Sequence, residues 1–236
     1  MDMDKAHLPK ELEDRTAQCS EALARDPQGD LRLGLRQCVW AAMGPRPAVA
    51  GLRLVDTRSR VSMEGYRGRV FLAIAAVEKV LPMWESVWRG NDTPHRILQV
   101  AEELMDNAIT DEAAIREYGL LWSDCQDLAY NEPENRLVLT VGEAAIAAVK
   151  TAGLDENFDP EHINLLLTDQ ENPDHDIDAS WIASAVWAGG PVWEKQSDPT
   201  KRREFWTWWL DKAVPNAWAS RGNSGTRKIA GNRGTQ

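Results

Sequence analysis

The sequence predicts an all-α fold: a single compact domain of about eight helices over residues 1–218, followed by a disordered basic tail at 219–236. Three observations predict it. Apolar residues recur at three- and four-residue spacing in one stretch after another, no stretch alternates with the period of two that a half-buried strand needs, and Pro and Gly gather between the periodic stretches.

The first helix carries Leu12, Thr16, Cys19 and Leu23 on one stripe, and the second Leu31, Leu35, Cys38 and Ala42, up to the breaker Gly44-Pro45-Arg46-Pro47. Residues 45–66 hold Pro45, Pro47, Gly51 and Gly65 with the basic Arg53, Arg58 and Arg60, and read as a long loop. The third helix carries Val70, Ile74, Val77 and Leu81 and is expected to end at Pro82, which cannot donate to the helical ladder. Asp92-Thr93-Pro94 opens the fourth, with Asp92 as the expected cap and Pro in the first turn; Ile97, Ala101, Leu104 and Ala108 form its stripe. Thr110-Asp111-Glu112 opens the fifth, which carries Ile115, Tyr118, Trp122, Cys125 and Ala129. The sixth carries Leu137, Val141, Ala144 and Ala148, ends near Lys150 and has Gly153 as its stop.

Asp178 suits the N-cap of a seventh helix that turns Trp181, Ile182, Ala185 and Val186 inward. Asp198-Pro199 opens the last, whose core side holds Phe205, Trp206, Trp209, Leu210 and Ala213. Trp208 sits about one 100° step away and is expected to pack. The tail has four basic residues, no acid and glycines at 222, 225, 231 and 234, too little apolar surface to offset its chain entropy.

Length and composition bound the function. A chain of 236 residues with 43% hydrophobic and 27% charged residues can bury a proper core. Its net charge of -10 disfavours a phosphate backbone as partner and favours a basic protein surface. No apolar run approaches the ~18 residues of a membrane span, and the start, MDMDKAHLPKELED, is polar and acidic, unlike a secretory signal. Cys19, Cys38 and Cys125 are scattered over apolar stripes, which predicts buried inert thiols in a reducing, cytoplasmic setting. No Gly-x-Ser-x-Gly elbow, phosphate-binding loop or His-Glu-x-x-His is present, so no catalytic residue and no cofactor is expected.

Two features stand out. Residues 151–194 contain ten acids and no Lys or Arg, which suggests an electronegative face for a basic cleft on another protein. The chain also has 11 Trp against 3 Tyr and 3 Phe. Where indoles meet the acids, a contact patch is expected, so Asp174, Asp176 and Asp178, with Trp187 and Trp193, are the candidate partner-binding residues. The doublet His175-Asp176 admits a second reading. All-helical metal phosphohydrolases use such a doublet with an upstream His, here His95 or His162, and a later Asp, here Asp198 or Asp211. A calcium loop counted from Asp174 fails, because its sixth and twelfth positions are Ala179 and Ala185.

The C-terminal third is the most distinctive part. An Asp-rich stretch leads into WIASAVWAGG at 181–190, then Pro191-Val192-Trp193, then SDPTKRREFWTWWLDKAVPNAW at 197–218. This resembles an all-helical family of immunity proteins from bacterial polymorphic toxin systems. The resemblance covers roughly residues 174–218, and the Phe-Trp-x-Trp-Trp-Leu run is its most specific part. It implies an all-α, cytoplasmic, non-enzymatic protein that binds a cognate toxin and occludes its active-site cleft stoichiometrically. The basic character of that cleft is expected from the acidic chain. The alternatives are a metal-dependent hydrolase built on His175 and Asp176, and a helical regulatory adaptor.

Overall fold

The computed structural model describes residues 8–45, 64–172 and 177–222. Arg53, Arg58 and Arg60, the residues Asp174, His175 and Asp176, and the chain from 223 onward lie outside the described residues. The described residues form helices and short helical turns, with no strand among them. In chain order these are α1 Lys10–Arg25, α2 Leu33–Ala42, α3 Glu64–Val87, α4 Thr93–Met105, α5 Asp111–Asn131, α6 Arg136–Leu154, α7 Ala179–Ala188, α8 Pro199–Trp208 and α9 Val214–Ser220. A π-helical turn, Trp209–Ala213, joins α8 to α9 without a break, so eight helical bodies result among the described residues. The wide turn lies where Pro215 removes the donor that an α-helical ladder would direct at Asp211, and it gives the proline ring room.

The apolar stripes pack as expected, with local exceptions. Leu12, Cys19 and Leu23 are buried, as are Val70, Ile74, Val77 and Leu81, and the core side of α8 holds Phe205, Trp206 and Trp209. Three buried indoles find acceptors: Trp84 Nε1 donates to Asn91 O (3.0 Å), Trp206 Nε1 to Asp30 (3.2 Å) and Trp209 Nε1 to Ser180 Oγ (3.0 Å). Ala108 falls beyond the end of α4 and is exposed, and Ile115 points outward because α5 buries Ala114, Leu121 and Cys125 instead. Asn91, not Asp92, caps α4 by accepting from Thr93 N at 3.0 Å. Helix α6 runs past Gly153, a full turn beyond Lys150, and stops only at Asp155, whose φ of 63° is left-handed.

Helix α3 does not end at Pro82 but continues to Val87. The proline ring is on the exposed face, where water can satisfy the interrupted ladder, and the turns beyond it are held by Trp84 and Trp88, packed with ring centroids 4.5 Å apart. Pro82→Ala should therefore stabilise the fold, by about 1–2 kcal/mol, seen as a higher urea midpoint with an unchanged slope.

Helix α6 is central and packs against α3, α4, α5 and α7. Contrary to the expectation drawn from uninterrupted apolar runs, residues Pro133–Leu154 are long and apolar enough to cross a membrane by length and composition. In the fold, 61% of that apolar window is buried against the neighbouring helices, as expected of a core helix.

Candidate partner-binding site

The acidic stretch divides into an interior part and an exterior part. Among the described residues four of its acids face inward, and two buried arginines take three of them. Arg69, from the start of α3, forms a two-pronged ion pair with Asp155, both bonds 2.7 Å, and donates to the Trp40 carbonyl (3.0 Å) and the Gly44 carbonyl (2.9 Å). Arg36, from α2, bonds Asp178 Oδ2 at 2.7 Å, contacts Asp169 and donates to Leu31 O at 2.5 Å. Asp178 also caps α7, accepting from Ser180 N (2.9 Å) and Trp181 N (3.0 Å). It is buried, so Asp178 is part of the scaffold and not of an exposed acidic face. Glu156, the fourth inward acid, accepts from Thr151 Oγ1 at 3.0 Å. Asp159, Glu161, Glu171 and Glu194 remain at the surface.

Burial pushes the Asp169 carboxyl up, to about 6, with Arg36 opposing the shift. Burial likewise raises Asp30, which faces Arg36 and Arg202. The Cys19 and Cys125 thiols are pushed up to about 12 by desolvation, and all three cysteines are buried, which suits inert thiols.

Trp187 and Trp193 point to different sides. Trp187 is half-buried between α3 and α8, and the Lys79 ammonium sits 4.5 Å from its ring and 5.2 Å from that of Trp208. Its Nε1 is buried with no hydrogen-bond partner among the described residues. Trp208 is thus packed, as its position on α8 predicts. Trp193 is 53% exposed, and its ring stacks on Trp181 with centroids 5.4 Å apart.

The loop that presents Trp193 is built from the backbone outward. Gly189 (φ 82°) and Gly190 (φ 151°) end α7 in conformations that side chains resist, and Gly190 N bonds back to Ala185 O at 2.8 Å. The buried Arg202 of α8 donates to Gly190 O at 2.8 Å, and Ser197 Oγ donates to the same oxygen at 2.6 Å. Asp198 N then bonds Ala188 O at 2.8 Å, closing the loop onto α7.

Trp193 stands over a groove of about 1120 Å³ between α5, α6, α7 and this loop. Trp122 and Tyr130 from α5, Leu137 and Leu139 from α6, and Trp181 and Ala185 from α7 line it, with Arg136, Glu143 and Glu194 as charged members. Tyr130 is 88% exposed at its edge. Partial desolvation raises the Glu143 carboxyl above its ordinary range, with Arg136 opposing.

Of the residues proposed for a metal, the doublet His175-Asp176 lies outside the described residues. His95 bonds Glu85 at 2.9 Å and His162 bonds Asp159 at 2.8 Å, in separate places, and no three His, Cys, Asp or Glu side chains gather to hold an ion among the described residues.

Across residues 17–216 the sequence fits the family described as Immunity protein Imm5. The chain belongs to the Imm5 immunity protein family. The Imm5 match takes in most of α1 and everything through Asn216 of α9, so it contains the groove and the buried arginine pairs. The resemblance carried by the C-terminal third therefore extends over most of this Imm5 chain. No curated protein matches it. Trp122 and Tyr130 are groove residues that the sequence does not announce. The first sits on what reads as a core stripe, and the second is an isolated aromatic at a helix end, a weak signal without the fold.

Proposed function

We propose that this protein neutralises a cognate toxin in the cytoplasm by binding it one-to-one and covering a positively charged active-site cleft. The family match carries the reading, since an immunity protein has a toxin as its partner. The charge distribution supports the mode. The interior arginines are largely offset by interior carboxylates, so the surplus of acid is carried on the exterior, where it speeds encounter with a cationic surface.

Calorimetry with the toxin domain encoded by the adjoining gene should give one molecule per toxin. Association should slow about tenfold or more between low and high salt, and toxin activity should fall in proportion to the immunity protein added. Protection by a small fraction of an equivalent, with turnover, would overturn occlusion and favour an enzymatic reading.

A further inference from the structure

We infer that the groove between α5, α6 and α7 is the toxin-docking surface, and that it receives a cationic toxin segment carrying apolar anchor side chains. This rests on the immunity reading above and adds the place and the chemistry of contact. The groove floor and edge offer four aromatic side chains, Trp122, Tyr130, Trp181 and Trp193, in one concavity. Aromatic anchors set in a concave surface are the usual source of binding energy at a protein interface.

Two observations say what covers it. The first is charge. The hairpin of α5 and α6 that forms one wall, residues 111–154, carries eight acids against the three bases Arg116, Arg136 and Lys150. On the groove itself Glu143 and Glu194 set two carboxylates against one base, Arg136. A cationic segment gains from this field, whereas an acidic or neutral one does not.

The second is order in an exposed residue. Trp193 leaves half its surface in water, yet its ring is held against Trp181, and the loop that carries it is fixed by Arg202 and Ser197. An indole held this way loses little freedom on binding, which is what a pre-organised anchor requires.

The test uses the full-length protein and the catalytically disabled toxin domain encoded beside it. The double variant Trp193→Ala, Tyr130→Ala should weaken binding about 30-fold or more, mainly through faster dissociation, while far-ultraviolet circular dichroism and thermal midpoint stay close to wild type. Glu143→Lys should slow association. Leu166→Ala alters an exposed leucine in a separate depression beside α1 and should leave affinity within twofold. Hydrogen exchange should show protection of residues 122–130 and 191–194 in the complex.

A folded double variant that binds within twofold of wild type would overturn the groove as the docking surface, and so would protection confined to another face. If wild-type protein fails to bind the toxin at all, the immunity reading itself fails, a result distinct from loss of the groove alone.

Discussion

Replacing Arg69 with Met should destabilise the protein by about 3–5 kcal/mol, seen as a fall in the urea midpoint. The side chain is fully buried, and it links elements distant in sequence: Asp155 at the end of α6 and the carbonyls of Trp40 and Gly44 at the end of α2 and just beyond it. Methionine fills much of the volume but leaves the buried Asp155 carboxylate without its guanidinium. Asp155 also holds a φ of 63°, a conformation costly for a residue with a Cβ, and the two-pronged pair is what fixes it there. Asp155→Asn should be far milder than Asp155→Ala, because Asn keeps the shape of the side chain and still offers Arg69 an acceptor. Equal losses for the two would refute this account of the α6 terminus.

Arg36→Met should be comparably damaging and, in addition, pH-dependent. The wild-type cluster places Asp169 and Asp178 on one guanidinium, with Asp30 nearby. Burial holds the Asp169 carboxyl at about 6 in the folded chain, against 3.8 when unfolded. The folded state therefore binds that proton more tightly. The stability it contributes is fully present below 3.8 and is lost as pH rises through 6. Relative to Asp169→Asn, wild type should lose roughly 2–3 kcal/mol between about pH 3.5 and 7, since each tenfold difference in proton affinity is worth about 1.4 kcal/mol. In Arg36→Met the carboxylates lose their counter-charge, so the deficit should be largest near neutral pH and partly relieved in mild acid. Denaturant titrations of the three proteins across that range decide it, and parallel pH profiles would show that Asp169 does not titrate as the fold implies.

Much of the helical architecture was legible because amphipathic periodicity reports burial directly. Leu12, Val70, Ile97, Val141 and Trp209 all fall inside, and Asp178 and Asp198 cap the helices they are expected to open. The departures have local causes. A proline on a solvent-facing side does not end a helix whose next turns bury two indoles, as Pro82 shows before Trp84 and Trp88. The site was less legible. Counting acids in 151–194 cannot separate carboxylates that face water from those that neutralise arginines over 80 residues away. Asp155 answers Arg69 and Asp178 answers Arg36, pairings that only the tertiary fold creates. The groove is likewise assembled from α5, α6, α7 and a loop, with no contiguous motif to announce it.

The interlock between the α1–α2 connection and α8 sets the order in which these elements can pack. Arg202 donates to Gln28 O and Arg203 to Asp26 O, contacts spanning 174 and 177 residues, and Trp206 closes over Asp30. Helices α1 and α2 thus wait for α8, on the order of 10–30 s at typical elongation rates. Throughout that interval the apolar side of α1 that later meets α8 is uncovered, a surface open to aggregation until α8 is made.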